Sequence, residues 1–316
     1  MMGILQFEII YQERVWGGRA LAESFGRTLP QDRVIGESWE IVDRPEAQSK
    51  IRNGPCAGQS LRALIETRGP EVMGPDWPAA KAFPILVKWL DCRERLSLQV
   101  HPPAAQAPTL GGEPKTENWF IARAGPDAAL IVGLRPGVDR AQFERALDAG
   151  TLETCVNRFA VSAGDSVLVT SGTVHAIDGG NLILEIQQNS DTTYRVYDWG
   201  RTGLDGRPRQ LHKREALASI LWDQPLPPVL RAALTPSVLA DCPEFRIRCV
   251  PLRAGGQLAF SAGQQPRLLH VVRGRVGEAA TRVVLSAGDN VLLPFADGFT
   301  FAATEESLLL VTEGFA

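Results

Sequence analysis

The sequence predicts a mainly β protein, a sandwich or a set of barrels, with a few helices packed on its N-terminal part. Two observations support this prediction: short apolar runs bounded by Gly, Pro and Asp recur along the chain, and one turn-and-strand sequence occurs twice. Short runs separated by turn residues are typical of antiparallel β architectures rather than of βαβ units. The runs lie at 83–90, 96–102, 118–124, 165–170, 181–188, 246–252, 267–274, 289–294 and 307–314.

Three stretches depart from this pattern and have the apolar spacing of helices laid on a β core. They are 60–69, 139–159 and 212–223. The Pro-rich stretch 223–236 is the best candidate for a linker between two halves. We therefore expect an N-terminal domain with helical insertions over 1–225 and a C-terminal domain over 226–316.

The composition is that of an ordinary globular protein, with 44% hydrophobic and 22% charged residues among 316. A net charge of -3 gives no reason to expect nucleic acid or an anionic membrane as partner. No apolar run approaches the ~20 residues that span a bilayer, and the N-terminus does not have the pattern of a signal peptide. The five cysteines are scattered without a C-x-x-C pair, which favours free thiols in a reducing cytoplasm.

The repeated sequence runs from Ser162 to Ile177 and again from Ser286 to Phe301. Both copies begin Ser-Ala-Gly-Asp, and where the first has His175 the second has Phe299. A duplicated small β-barrel explains such a pair. The first copy fits the second consensus turn of the cupin barrel except that Thr170 replaces a proline. The second has lost the glycine and the histidine. The chain thus resembles a double cupin of two jelly-roll barrels, one competent to bind metal and one degenerate.

Four polar residues in the N-terminal part form a possible metal-ligand set without sulfur. Gln99 and His101 are two apart on a predicted strand and so share a face. Glu117 begins the next strand, and His175 follows the cupin-like turn. Such a set suits Zn²⁺ and also Fe²⁺, Mn²⁺ or Co²⁺. With a single carboxylate the ion keeps a charge near +1, which favours a Lewis acid. The other histidines, His212 and His270, have no partner at metal spacing.

The segment 185–201 is polar where a core strand would be apolar. Glu185 is followed by Asp191 and Arg195, and burying such groups without partners is costly, which favours a mutually satisfied site. The alternative is a polar edge strand with aromatic residues packed beneath it. Lys88 lies inside an apolar strand, where it either meets an anion or extends to the surface.

Several of these stretches together resemble a type I phosphomannose isomerase in its short bacterial form. They are "RVWGG", "IGESWEI", "LSLQVHPP", "GGEPKTENWF" and the highly specific run 171–201. The resemblance implies a zinc enzyme, with one ion per chain, that interconverts mannose 6-phosphate and fructose 6-phosphate. By motif matching, Gln99, His101, Glu117 and His175 take the ligand roles, Arg195 lies in the active site and Lys115 faces the same cleft.

Aldose–ketose isomerisation moves a proton between C2 and C1 through a cis-enediol whose negative charge must be stabilised. The metal and Arg195 would share that role, and Asp191, Glu185 or a water on the metal is the candidate base. Lys115, Arg195 and Lys88 are candidates for binding the phosphate. The sequence leaves a monomer and a homodimer equally open.

Two other functions compete with the isomerase. A metal-dependent cupin oxygenase would hold iron, but Gln99 as a fourth protein ligand leaves few open positions for O₂. A non-catalytic sugar-binding double cupin predicts a decayed metal set, whereas only the C-terminal copy has decayed.

Overall fold

Four antiparallel sheets packed in two pairs make up most of the molecule, in a computed structural model that describes residues 2–223, 230–232 and 235–315. The strands of the N-terminal part are β1 (Leu5–Gln6), β2 (Ile10–Gly18), β3 (Ile35–Ile41), β4 (Asp43–Arg44), β5 (Ala47–Gln48), β6 (Ile85–Cys92), β7 (Leu98–Val100), β8 (Glu117–Ala124), β9 (Ala129–Leu134), β10 (Val156–Ala160), β11 (Asp165–Val169), β12 (His175–Ile177), β13 (Asn181–Gln188) and β14 (Tyr194–Tyr197).

The strands continue to the end of the described chain. They are β15 (Arg231–Ala232), β16 (Ser237–Asp241), β17 (Arg246–Leu252), β18 (Gln257–Phe260), β19 (Arg267–Arg273), β20 (Arg275–Glu278), β21 (Val284–Ser286), β22 (Asn290–Leu293), β23 (Phe299–Ala303) and β24 (Ser307–Glu313). The helices are α1 (Ala20–Phe25), α2 (Leu61–Val72), α3 (Arg140–Ala149) and α4 (Lys213–Ser219), with 3₁₀ turns at Gly54–Cys56, Ala107–Leu110 and Leu152–Thr154. Within these ranges no helix is long and apolar enough to cross a membrane.

The first pair of sheets forms the N-terminal barrel. A five-stranded sheet in the order β10-β9-β12-β7-β14 faces a seven-stranded sheet in the order β15-β11-β8-β13-β6-β3-β2. Buried residues of both sheets, among them Trp119, Leu130, Ile177 and Ile183, pack together in one cluster between them. Helices α3 and α4 cover the outer face of the five-stranded sheet, so the predicted packing of helices on the N-terminal part is correct.

The second pair forms the C-terminal barrel. A six-stranded sheet in the order β1-β22-β19-β24-β17-β16 faces a four-stranded sheet in the order β18-β23-β20-β21. Phe299 and Phe301 lie in the cluster between these sheets. The other face of the six-stranded sheet packs on the N-terminal barrel, where Leu268 and Leu310 join Trp89 and Leu184 in one core. The mainly β architecture of two cupin-type barrels is thus confirmed, and β1 at the start of the chain belongs to the second barrel's sheet.

The repeated sequence adopts the same turn in both barrels. The Ser162 amide donates a 2.8 Å hydrogen bond to Asp165 Oδ2, and the Ser286 amide donates one of 2.8 Å to Asp289 Oδ2. Gly164 has φ of 96° and Gly288 has φ of 94°, a left-handed conformation that favours glycine. In each copy, the same aspartate hydrogen bond and a glycine with positive φ therefore specify the turn.

The prediction of a helix over 139–159 was wrong in its second half. Helix α3 ends before Gly150, whose φ of 69° caps it in the left-handed conformation. The chain then pairs with β9 as strand β10. The expected linker 223–236 falls largely outside the described residues, although β15 within it pairs with β11. The division at 225/226 stays a prediction.

Candidate active site

A cavity of about 340 Å³ opens at one end of the N-terminal barrel, and both of its sheets supply side chains to it. Ladder register explains why, because directly paired residues of an antiparallel ladder point to the same face. In one sheet Gln99 pairs with both His175 and Arg195, and in the other Glu185 pairs with Lys88. The cavity is lined by Arg14, Trp16, Glu37, Lys88, Leu90, Leu96, Ser97, Gln99, Lys115, Glu185, Asp191, Thr193, Arg195 and Arg209.

Three of the residues predicted to bind metal converge beneath this cavity. His101, Glu117 and His175 each offer a ligand atom, and these atoms all lie within 4.8 Å of one another. Glu117 lies between the two rings: its Oε2 is 3.5 Å from His101 Nε2, and its Oε1 is 3.4 Å from His175 Nε2. All three residues are fully buried or nearly so. Gln99 lines the cavity on the strand between His175 and Arg195, and it is only partly buried.

Backbone carbonyls determine which imidazole nitrogen carries the proton. His101 Nδ1 lies 2.7 Å from Thr192 O, and His175 Nδ1 lies 2.8 Å from Thr173 O. A carbonyl only accepts, so each Nδ1 donates and each Nε2 presents a lone pair. Burial lowers the pKa of both rings, that of His101 to about 3, with Lys115 adding to the effect. Both imidazoles are therefore neutral, the form that binds metal.

The cluster fits a divalent metal ion. Neither Nε2 atom has a hydrogen-bond partner in the described part of the chain, and both Glu117 oxygens lack a well-aligned donor. Lone pairs of two rings and a carboxylate thus face one another in a buried space. The Lys115 ammonium contacts only Oε2 of the carboxylate, so the remaining lone pairs are costly to bury unless a further cation lies between them. Ligands at 2.0–2.1 Å from a tetrahedral ion lie about 3.3 Å apart, close to the separations found here. Nitrogen and oxygen donors suit zinc and its first-row neighbours.

Acidic and basic side chains alternate above the candidate metal ligands His101, Glu117 and His175, which are called the metal cluster below. Lys115 Nζ lies 2.7 Å from Glu117 Oε2 and 3.6 Å from Glu185 Oε1. Burial would raise the pKa of Glu117, but the Lys115 ammonium and the nearby rings hold it well below its usual range. Burial raises the pKa of Glu185, whose Oε2 accepts a 3.0 Å hydrogen bond from Trp119 Nε1. Lys115, Glu117 and Glu185 are all buried, as is Lys88, which pairs with Glu185 in the sheet.

Lys88 is buried inside the cavity wall rather than extended to the surface, so that alternative was wrong. Its Nζ lies 3.8 Å from a carboxylate oxygen of each of Glu37, Glu185 and Asp191. It also lies 4.8 Å from the centre of the Trp39 ring. Because three carboxylates already surround it, its charge is largely compensated.

Arg195 faces the cavity from β14, which is the edge strand of its sheet. The alternative of a polar edge strand is thus present, and Tyr197 and Trp199 of the same segment pack against each other with ring centres 5.2 Å apart. The assignment of a functional site to this segment stays a prediction. The guanidinium donates to Ser97 Oγ at 3.3 Å and to Gln210 O at 2.8 Å.

Three charged residues of the cavity were given no role in the sequence analysis: Arg14, Glu37 and Arg209. Glu37 accepts bonds from Arg14 Nε (2.8 Å) and Trp39 Nε1 (2.7 Å). Burial would raise the pKa of Glu37, but Lys88 and Arg14 lower it to about 2. Two carboxylates, Glu37 and Glu40, within the strand-like run "IGESWEI" were a usable signal for buried charge; Arg209, in a loop, had none.

Together these features define a class of protein: a cupin-type barrel with a candidate metal-ligand set beneath a cavity lined by basic and acidic side chains. Residues 4–124 match the model of the phosphomannose isomerase type I catalytic domain. The chain is 34% identical over 313 residues to the probable mannose-6-phosphate isomerase GmuF of Bacillus subtilis, covering 96% of this chain and 98% of that protein. It is 34% identical to the mannose-6-phosphate isomerase ManA of the same organism, covering 93% and 94%.

A solved structure is similar over the whole chain. The mannose 6-phosphate isomerase from Bacillus subtilis superposes with a TM-score of 0.83 at 29% identity, covering 98% of this chain and 99% of that one. The chain belongs to the type I phosphomannose isomerase family and is an aldose–ketose isomerase. The resemblance found in its sequence is confirmed.

Proposed function

We propose that this chain interconverts mannose 6-phosphate and fructose 6-phosphate with one Zn²⁺ held by Gln99, His101, Glu117 and His175. The observation that supports this best is the convergence of a carboxylate and two neutral imidazoles, whose Nε2 atoms have no hydrogen-bond partner in the described chain, under a cation-lined cavity. Gln99 completes the set because its strand position places it on the same face as His175. A Lewis acid held there would stabilise negative charge on the sugar oxygens O1 and O2.

The chain's own residues then have separate tasks. Arg195 offers a planar cation beside the developing enediolate or the phosphate. Lys115 and Lys88 are further candidates for the phosphate, but each already lies beside carboxylates. Arg195, whose contacts above are to neutral oxygens, is the better anion site.

Asp191 and Glu185 are the candidate bases that shuttle the proton between C2 and C1. Both line the cavity. Glu185 is buried with a raised pKa, which brings it towards the range suited to a base at neutral pH. Asp191 is the more exposed, so it can reach a bound sugar directly. Asp191→Asn and Glu185→Gln distinguish them: loss of the base should abolish exchange of the C1 and C2 protons with solvent deuterium while sugar still binds.

The direct test incubates the purified protein with zinc and mannose 6-phosphate and follows fructose 6-phosphate by NMR. Chelation should abolish turnover, and zinc should restore it. Elemental analysis of the protein as purified separates a zinc isomerase from an iron oxygenase. Full activity in the chelated enzyme would contradict the proposal.

Two variants separate metal binding from turnover. His175→Ala should lose the ion while the chain still folds, since the apolar core of the barrel around the ring is unchanged. Arg195→Ala should lower turnover by a factor of about 10² or more while the metal stays bound. Metal loss from the Arg195 variant would make this arginine structural instead.

A cytoplasmic location and a monomeric or dimeric state also stay proposals. The location is supported by the five cysteines, all of which are free thiols.

A further inference from the structure

The cationic side chains that line the cavity are not equally compensated. In the described chain, Arg14 pairs with Glu37, and both lysines lie within 4.0 Å of carboxylates. Arg209 pairs with Asp198. Arg195 differs, because its hydrogen bonds go to a hydroxyl and a carbonyl. An incompletely compensated guanidinium at a cavity wall is a site for an anion.

The positive charge around Arg195 is stronger than one guanidinium. Burial lowers the pKa of Arg195, and the charge of nearby Arg209 lowers it further. Asp198 acts in the opposite direction but is already bonded to Arg209 and Arg201. An anion bound beside both arginines would offset the repulsion between them.

The backbone after Arg209 fixes this arginine beside Arg195. Gln210 O accepts from Arg195 Nη1 at 2.8 Å, and the His212 amide donates to Arg195 O at 2.8 Å. The Arg195 amide in turn donates to His212 Nδ1 at 3.3 Å. The loop that contains Arg209 is thus bonded to β14 on both the side-chain and the backbone groups of Arg195.

Asp198 holds the Arg209 side chain in one orientation. Arg209 Nε donates to Asp198 Oδ2 at 2.6 Å, and Nη2 bonds the other oxygen. Asp198 is 5% exposed, and the two arginines bonded to it lower its pKa although burial would raise it. This two-point contact leaves the Nη1 hydrogens and one Nη2 hydrogen for another acceptor.

We propose that Arg209 is a specificity-determining residue for the phosphate group of the substrate, binding it together with Arg195, and that Asp198 is the positioning residue that orients Arg209. This inference rests on the proposed function above. Two guanidinium groups match the three oxygens of a phosphate dianion, for which a free sugar has no equivalent. The site would therefore select phosphorylated over free aldoses.

The first experiment compares Arg209→Ala with Arg207→Ala in the zinc-loaded enzyme. Arg207 is an exposed arginine in the same loop and outside the cavity lining, so it controls for the loss of charge. For mannose 6-phosphate we expect KM to rise about 10-fold or more in the Arg209 variant, with kcat within about 3-fold of the parent. The inhibition constant of inorganic phosphate should rise in parallel. The Arg207 variant should change neither.

Two further variants keep the test valid if Arg209→Ala fails to fold. Arg209→Lys keeps the charge but not the two-pronged contact, so it should recover only part of the affinity. Asp198→Asn should weaken inorganic phosphate binding, and combining it with Arg209→Ala should add little, because the aspartate acts through that arginine. Additive losses in the double variant would show that Asp198 does not position Arg209.

The outcomes separate this inference from the proposed function. A parent enzyme that fails to isomerise mannose 6-phosphate would overturn the proposed function, while calorimetric binding of inorganic phosphate would still report on Arg209. An Arg209 variant with unchanged phosphate affinity, or with lowered kcat at unchanged KM, overturns the inference. Equal losses for mannose 6-phosphate and free mannose would do the same.

Discussion

At the scale of single residues, the cavity shows how ionised groups can be buried. Lys88 is 4% exposed, yet three carboxylates stand 3.8 Å from its Nζ and an aromatic ring lies against it. Removing one member of such a row leaves the others uncompensated, which commonly costs about 3–5 kcal/mol. Replacing a single charged residue at this site is therefore expected to lower the stability of the fold. Each such variant needs a measurement of folding beside its activity.

A pH prediction concerns His270, which is buried in the C-terminal barrel. Its Nδ1 donates to Asn290 Oδ1 at 2.7 Å, and its Nε2 lies 2.9 Å from Thr312 Oγ1. Burial lowers the pKa of this histidine to about 4 from an ordinary 6.5. As pH falls from 6.5 to 4, the unfolded chain binds a proton that the folded chain does not, so stability falls across this window.

His270→Gln should remove this part of the pH dependence of the free energy of unfolding. Between pH 6.5 and 4 it amounts to about 3 kcal/mol at most. The measurement is the free energy of unfolding in urea at several values of pH between 7 and 4. Thr312→Val keeps the imidazole and should keep the slope. An identical slope in parent and His270→Gln would show that this ring titrates normally.

At the scale of elements, the turn between β11 and β12 places His175. The Gly172 amide donates to His101 O at 2.8 Å. This bond joins the turn before His175 to the backbone of His101, directly after β7. Thr170 stands where the consensus turn has proline, and its Oγ1 lies 3.2 Å from Thr173 Oγ1. A hydrogen bond between two threonine side chains thus stabilises the turn where the consensus sequence has the rigid ring of proline.

Gly172→Ala should destabilise the protein and lower its metal content. Gly172 has φ of +86°, and an added Cβ would lie 2.6 Å from Leu221 Cγ. Gly164→Ala is the matched control, because its φ is +96° but nothing lies within 4 Å of the added atom. Both should lose about 1–2 kcal/mol from backbone strain, and only Gly172→Ala adds a clash.

Thermal unfolding and elemental analysis of both variants test this prediction. Adding Leu221→Ala should recover part of the loss in Gly172→Ala and nothing in Gly164→Ala. Equal destabilisation of the two glycine variants would mean that the contact with Leu221 is of no consequence.

At the scale of the whole molecule, the two barrels divide the work. The N-terminal barrel contains the metal cluster, and in the C-terminal barrel the equivalent position of the repeated turn is Phe299, 4% exposed in an apolar core. The barrels share one core cluster, and Trp89 Nε1 donates to Gly288 O across their boundary at 3.1 Å. The second barrel therefore packs against the sheet that contributes Glu185 and Lys88.

Phe299→Ala should destabilise the protein by about 3–5 kcal/mol without loss of metal at temperatures where it stays folded. The deleted ring leaves a cavity in the C-terminal core and touches none of the metal-cluster residues. Phe299→Leu should cost less, since it keeps most of the volume. Chemical unfolding and metal analysis measure the two effects, and metal loss from the folded variant would contradict this separation of roles.

The sequence by itself determined which residue types could bind a metal ion and that they lie on strands or directly beside them. Alternation and turn residues are local, so the strands at 165–169 and 181–188, the Gln99–His101 pair and the turn before His175 could all be recognised. Helix α3 was extended too far because the pairing that makes 156–160 a strand is with a distant segment.

Only the tertiary structure decided how these groups meet. Thr192 orients His101 from 91 positions away, Glu37 reaches Lys88 from another strand, and Arg209 stands beside Arg195 because its loop is bonded to an edge strand. Such contacts depend on ladder register and on how two sheets face each other, and neither leaves a local pattern in the chain.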